Sequence, residues 1–224
     1  MKALSEWHLG EVASSHETRT AAISLAKALG DLQALALALQ FAAYLAQFEG
    51  NPREVEVLAS DLTELSMRQN FAFWLPGAGA LHGWARSVSG DTVKGIALIE
   101  QALEDWRATG SSITTSYYLT LKSEALHRAG RVTEALEVMK QAEAQAERWE
   151  DRWWYAELLR LRGVVLAAMG ADETQIEASF QEAIRIAREQ RSASLAKRAE
   201  ETCAEYRRQK GSASGRQQFR LPLC

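Results

Sequence analysis

The stretch that decides the fold of this chain is LTLKSEALHRAGRVTEALEVMKQA, residues 119–142. Apolar residues recur on both sides of Gly130 at the spacing of one helix face, and a glycine after a helix can take the left-handed conformation that ends it. The residues on that face are Leu119, Leu126, Ala135, Met139 and Ala142. The stretch therefore predicts two amphipathic helices joined by a tight turn.

The same turn recurs along the chain at a fixed interval. Gly10, Gly50, Gly90 and Gly170 stand with Gly130 in a series whose steps are all 40 residues. A fixed period of this length is typical of stacked helix-pair repeats, and 224 residues hold about five to six of them. In each pair a helix of about 16 residues ends at the glycine and a second helix follows. The second helices are predicted at residues 93–109, 133–149 and 173–190.

Small residues mark where the two helices of a pair come close. Ala43, Gly83, Ser123 and Gly163 each lie seven residues before a turn glycine. A small side chain at a crossing allows the backbones to approach, whereas a larger one costs about 1–3 kcal/mol. The glycines of residues 77–83 fit this interpretation better than a nucleotide-binding loop, because no strand precedes them.

Composition narrows the class of protein. Hydrophobic residues make up 47% and charged residues 25% of the chain, which is normal for a globular protein. Only three prolines occur, which permits long helices. The net charge of -3 gives no reason to expect a nucleic-acid or anionic-membrane partner. The most apolar stretch, residues 32–48, is too short and too polar to span a bilayer. Two cysteines, Cys203 and Cys224, are expected to be reduced in a cytoplasmic protein.

The small residue before the turn, followed by apolar residues and alanine in the second helix, resembles the tetratricopeptide repeat. The second-helix positions read Gly95-Ile99-Ala102, Ala135-Met139-Ala142 and Ile176-Phe180-Ala183. The resemblance implies an all-α, right-handed superhelical solenoid of antiparallel helix pairs. The period of 40 exceeds the usual 34. One repeat domain is expected over residues 1–210, with a disordered tail over 211–224.

Whole phrases of the chain are similar to a narrower group. They are FAFWLPGAGALHGWARSVSGD, GIALIEQALEDWRATG, YYLTLKSEALHRAGRVTEAL, RWWYAELLRLRGVVLAAMG and EASFQEAIRIAREQRSASLAKRAEE. They resemble the C-terminal repeats of large bacterial signalling proteins that carry a class III adenylate or guanylate cyclase domain and a P-loop ATPase domain. This resemblance implies a sensing or protein-binding arm.

The nucleotide chemistry of that group is not expected here. The sequence has no GxxxxGK[ST] loop and no strand-borne aspartate pair. A non-enzymatic chain without cofactor or metal is therefore expected. The ending KGSASGRQQFRLPLC does not resemble a repeat, which favours a fragment or a shifted reading frame.

The resemblance also implies a concave groove lined by the first helix of each pair. Its predicted ligand-facing positions, the groove residues, are Gln40, Tyr44, Gln47, Trp84, Ser87, Tyr117, Thr120, Glu124, His127, Arg128, Glu157 and Arg160. They mix aromatic, amide and charged side chains, which suits an extended segment or helix of a partner protein. Alanine at Tyr44, Trp84 and Tyr117 is predicted to abolish partner binding with helicity near normal.

Other functions stay open at this stage. The groove could bind a metabolite and make the chain a small-molecule sensor, whereas an enzyme is disfavoured because no nucleophile–base pair stands out. No two of the four histidines have metal-ligand spacing. Trp149, Trp153 and Trp154 fill the space between two pairs or face a ligand. Neither end reads as a cap, so self-association through the ends is possible.

Overall fold

The computed structural model describes residues 1–211 and 223, and its regular structure over these residues is entirely helical. They form eleven α-helices and a short 3-10 turn at Ala72–Trp74, with no strand among them. The helices are α1 Lys2–His8, α2 Val12–Leu29, α3 Leu32–Phe48, α4 Pro52–Gln69, α5 Leu75–Val88, α6 Thr92–Ala108, α7 Thr115–Arg128, α8 Val132–Trp149, α9 Tyr155–Met169, α10 Glu173–Glu189 and α11 Ala193–Gly211. The all-helical prediction is confirmed.

The predicted turn glycines separate the two helices of every pair. Gly10, Gly50, Gly90, Gly130 and Gly170 all have positive φ, between 68° and 102°. Side chains disfavour this conformation, so glycine is the natural residue there. The second helices α6, α8 and α10 begin and end within one residue of their predicted bounds.

A second series of turns, which the sequence did not reveal, lies between the pairs. Gly30, Asn70, Gly110 and Glu150 also stand 40 residues apart, and each has a positive φ of 53° to 76°. Two of the four are not glycines, so glycine spacing alone could not show the series. Every helix junction of the repeat thus turns through a left-handed residue.

Close crossings occur at the small residues that precede the turns. A Cβ at Gly83 would lie 2.6 Å from the Gly95 carbonyl oxygen, and one at Gly163 would lie 2.5 Å from the Phe180 ring. At the equivalent position of the next pair, the Ser123 hydroxyl donates to the Ala135 carbonyl at 2.8 Å. The predicted role of these positions in helix crossing is confirmed.

The chain divides into two compact units, Met1–Ser112 and Ile113–Leu223. Unit 1 contains α1 to α6, and its interior includes a cluster of Ala36, Leu39, Leu62, Leu65 and Ala78. Unit 2 contains α7 to α11, and the repeat positions Ala135, Met139, Ala142, Ile176, Phe180 and Ala183 are buried in it.

The domain bounds proposed from sequence stay predictions. Gly211 closes α11, and the remainder of the predicted tail, apart from Leu223, lies outside the described residues. None of the helices in the described part of the chain combines the length and hydropathy needed to cross a bilayer.

Candidate partner-binding site

The groove residues lie on the first helices α3, α5, α7 and α9, and most of them are buried. Ten are at most 6% exposed: Gln40, Tyr44, Gln47, Trp84, Ser87, Tyr117, Thr120, Glu124, Glu157 and Arg160. His127 and Arg128 are partly exposed. A buried side chain can touch a large ligand only after it becomes accessible. The assignment of these residues to a partner-binding groove stays a prediction, and it requires that the ten buried side chains become accessible when a partner binds.

Burial changes what the proposed aromatic substitutions would do. Tyr44, Trp84 and Tyr117 are 6%, 1% and 0% exposed. Removing a buried aromatic side chain costs about 3–5 kcal/mol, and a whole domain is stable by about 5–15 kcal/mol. The triple alanine variant is therefore expected to lose much of its stability, and near-normal helicity is no longer expected of it.

In unit 1 the groove residues Gln40, Trp84 and Ser87 are buried between the helices. The Ser87 hydroxyl donates to the Gly83 carbonyl at 2.9 Å, and Trp84 stands between them in sequence. The Gln40 side chain is 3% exposed, and its Nε2 has no hydrogen-bond partner among the described residues. An unsatisfied buried amide costs stability of about 1–3 kcal/mol.

An aromatic cluster forms in unit 2 around Tyr117. Its ring lies 5.2 Å from that of Trp153 and 5.4 Å from that of Trp154, the second contact being edge-on. Burial raises the pKa of the Tyr117 hydroxyl well above its ordinary value. Trp154 is 3% exposed and fills the interior, as the packing interpretation predicts, whereas Trp149 is 51% exposed. Trp149 instead lies under the Arg148 guanidinium, 5.2 Å from its carbon.

The accessible end of α7 carries a charged group. Arg128 donates from Nε and Nη2 to one oxygen of Glu124, at 3.0 and 2.9 Å. Burial, followed by the charge of Arg128, lowers the pKa of His127. The neutral form of its imidazole is thereby favoured, and its Nδ1 is buried without a hydrogen-bond partner in the described part of the chain.

A buried charge cluster lies between α9 and α11. Arg160 donates from Nε to Glu157 at 2.9 Å and from Nη2 to the other Glu157 oxygen at 2.6 Å. Arg160 Nη1 donates to the Thr202 hydroxyl at 3.2 Å, and Arg198 Nη1 donates to Glu157 at 3.3 Å. A further bond runs from Arg160 Nη2 to the main-chain carbonyl of Leu223 at 2.6 Å.

The burial of this cluster is not visible in the sequence pattern. Glu157 and Arg160 have the i,i+3 spacing of an ordinary helix ion pair, but they are 3% and 1% exposed. Arg198 lies in a run that mixes both charge signs, as a solvated helix face does, but Thr202 is fully buried and Arg198 reaches Glu157. Helical spacing could not show which side of α11 faces α9, because both sides carry charged residues.

The electrostatic environment favours the ionised form of the Glu157 carboxyl. Burial alone would raise the pKa of the Glu157 carboxyl, but the guanidinium groups of Arg160 and Arg198 hold it below its ordinary value. A buried charge is tolerated only when it is paired and hydrogen-bonded, and the fork of Arg160 supplies two of these bonds. The cluster is thus a carboxylate held by two arginines.

An apolar cleft of about 300 Å³ lies in unit 1 between α1, α2 and α3. Leu25, Leu29, Leu37 and Phe41 line it together with Arg19. Arg19 Nη2 pairs with Glu54 at 2.9 Å, whereas its Nη1 is buried with no hydrogen-bond partner in the described residues.

The histidines have structural neighbours. His16 Nε2 lies 2.6 Å from a Glu49 oxygen, and His82 Nδ1 lies 3.7 Å from Glu56. Within residues 1–211 and 223, no group of three or more histidine, cysteine or acidic side chains is arranged to hold a metal ion.

No protein-family model matches the chain. It is similar to an uncharacterized protein of Rhizobium meliloti (strain 1021), at 23% identity over 203 residues. That alignment covers 91% of this chain and 20% of the relative, so the chain spans about a fifth of the length of the protein it matches.

Proposed function

We propose that this chain is a non-enzymatic protein-binding scaffold, the sensing or docking arm of a cyclase/ATPase-type signalling protein. In this proposal the helix pairs stack as a right-handed, tetratricopeptide-like superhelix. The observation that carries it is the 40-residue repetition of helix, left-handed glycine and second helix, with a close crossing at Gly83 and Gly163. Repeats of this kind build extended surfaces on which other proteins bind.

The relative supports a docking role within a larger polypeptide. A region similar to this chain makes up 20% of that protein, so most of the relative consists of other sequence. A repeat region beside other domains is the arrangement that the cyclase–ATPase resemblance implies. The enzymatic domains of such a protein would lie outside the matched region.

A protein segment suits the chemistry better than nucleic acid or a membrane. The formal net charge is -3, and several cations of unit 2 are paired with carboxylates, among them Arg128, Arg131 and Arg185. Nucleic-acid binding requires a broad excess of cations to neutralise phosphates. Helix faces with mixed charges and aromatic anchors suit a peptide instead.

The test is capture from a lysate of a bacterium that carries the chain, followed by mass spectrometry. Wild type is compared with a His127→Ser, Arg128→Lys double variant, which alters the two accessible groove residues and keeps a cation beside Glu124. The matched control is Arg131→Gln with Glu134→Gln, an exposed pair at the start of α8. A protein retained by wild type and control and lost from the first variant supports the scaffold. A protein retained equally by all three would show that His127 and Arg128 do not form the binding contact.

A second candidate function is a small-molecule sensor, and the apolar cleft of unit 1 favours it. Its leucine and phenylalanine lining with one arginine suits an apolar chain that ends in a carboxylate. A thermal-shift screen of medium-chain and long-chain carboxylates tests this candidate. Stabilisation of wild type that is absent in Arg19→Gln would support it, and no shift with any chain length would reject it.

A further inference from the structure

Arg160 makes one contact that the helix pairs do not require. Its Nη2 donates at 2.6 Å to the main-chain carbonyl of Leu223, a residue 63 positions further along the chain. Leu223 lies outside the helices, and the structure describes it as partly buried. A guanidinium buried between α9 and α11 thus binds the main-chain oxygen of Leu223, a residue that belongs to none of the helices.

Hydrogen bonds to neighbouring side chains hold the Arg160 guanidinium in one orientation. Two of the Arg160 nitrogens are fixed by Glu157, and Nη1 is directed at the Thr202 hydroxyl. That hydroxyl is itself fixed, because it donates to the Arg198 carbonyl at 2.9 Å. A planar guanidinium held on both edges has little freedom left to lose when it binds another acceptor. The second N–H of Nη2 is thereby held in one direction, in which it meets the Leu223 oxygen.

A main-chain carbonyl is the same chemical group in every residue. Every residue of an extended peptide offers one, so a site that binds it recognises backbone and leaves sequence choice to neighbouring side-chain contacts. A hydrogen bond from a charged donor is stronger than one from a neutral donor. The resemblance to the tetratricopeptide repeat also implies that Glu157 and Arg160 face a ligand.

We propose that Arg160 is the backbone anchor of the peptide-binding site of unit 2, and that the chain's own Leu223 occupies this anchor as an internal ligand. A partner segment must then displace Leu223 before its own carbonyl binds there. This inference rests on the proposed scaffold function for its partner, but the internal contact can be tested without one.

The test uses the full chain and observes a single carbonyl. Leu223–Cys224 is the only Leu–Cys bond in the sequence, because Cys203 follows Thr202. Labelling leucine with ¹³C at the carbonyl and cysteine with ¹⁵N therefore gives one peak in a carbonyl–amide correlation spectrum. A carbonyl that accepts a hydrogen bond has its ¹³C resonance at lower field than the same carbonyl in chain unfolded by urea.

Wild type is expected to show the Leu223 resonance at lower field than in urea, and Arg160→Lys is expected to move it most of the way back. Lysine keeps the positive charge beside Glu157 and loses the fork, and circular dichroism confirms that the variant is folded. Thr202→Val is a second variant that frees one edge of the guanidinium, with a smaller shift expected. The matched control, Arg185→Lys on the exposed face of α10, should leave the resonance unchanged. A Leu223 carbonyl with the urea shift in folded wild type would overturn the proposal.

The ligand class is tested by competition. A synthetic peptide of residues 216–223, RQQFRLPL, added in excess to the labelled full chain should move the Leu223 resonance toward its urea position. No movement at saturating peptide would overturn the claim that the site accepts an extended segment in trans. Failure of lysate capture together with a positive carbonyl result would reject the scaffold function and leave the internal contact established.

Discussion

At the scale of single residues, the ion cluster of unit 2 holds the charges of Glu157 and Arg160 away from water. Glu157, Arg160 and Arg198 exchange hydrogen bonds of 2.6 to 3.3 Å inside the protein. Removing charges from water is expensive, and their attraction offsets that cost only when the geometry is good. The bidentate fork provides such geometry, so each member depends on the others.

Replacing Glu157 by glutamine should destabilise the fold by about 3–5 kcal/mol, because the buried guanidinium of Arg160 and the partly exposed one of Arg198 lose their counter-ion. Urea unfolding followed by circular dichroism measures this change. Glu182→Gln serves as the matched control, since Glu182 pairs with Arg185 three residues along an exposed helix face and should contribute little. Equal effects of the two substitutions would show that the cluster does not carry the stability assigned to it.

His127 should make stability depend on pH. Its folded pKa is lowered by burial and by Arg128, so the unfolded chain takes up a proton first as the pH falls. The stabilisation by neutral His127 is therefore fully present above about pH 6.5, the unfolded value, and is lost as the pH falls toward the folded pKa.

Unfolding free energies of wild type and His127→Gln, measured from about pH 7.5 to about pH 5.5, check this sign. Wild type should lose more stability over that range than the variant, because only wild type carries the titrating imidazole. Parallel curves for the two proteins would remove His127 as the cause.

At the scale of elements, each helix pair is set by one turn and one crossing. The left-handed glycine ends the first helix, and seven residues earlier a small residue lets the second helix approach. These two features account for the helix bounds better than hydropathy does. In α9, for example, apolar residues cover nearly the whole helix, and its end is marked by Gly170.

Gly83→Ala should destabilise the protein by about 1–3 kcal/mol, because the added Cβ would lie 2.6 Å from the Gly95 carbonyl oxygen. Backbone on the opposite helix cannot move aside without separating α5 from α6. Gly79→Ala on the same helix is the control, since its Cβ would meet only the Ala102 methyl at 3.4 Å. It should be neutral or stabilising by up to about 1 kcal/mol, through better helix propensity. Thermal unfolding of both variants decides, and a Gly83→Ala protein as stable as wild type would contradict the crossing.

The sequence predicted these elements because their signals are local. Gly130 and Ser123 lie in one 40-residue period, and a glycine spacing can be counted without knowing the fold. The second series of turns escaped because Asn70 and Glu150 adopt positive φ without being glycines. Arg160 was among the predicted groove residues, but its partners Thr202 and Leu223 were not predicted, because no local pattern links positions 160, 202 and 223.

At the scale of the whole molecule, the chain combines two helical units that are each built from the same repeat. The alignment with the Rhizobium protein spans 203 residues, more than either unit contains, so both units have counterparts in that relative. A scaffold made of such units would present its binding residues on repeated first helices. The central claim is that the α7–α9 face of unit 2 receives a protein segment.

Site-specific photo-crosslinking in cells that naturally contain the chain tests that claim most directly. An aromatic photo-crosslinking residue replaces Trp153, which is partly exposed and whose ring lies 5.2 Å from that of Tyr117. The same residue at Trp149, which is 51% exposed on α8, is the matched control. The account predicts a discrete protein adduct from position 153 and none from position 149. No adduct at 153, or equal adducts at both positions, would contradict it.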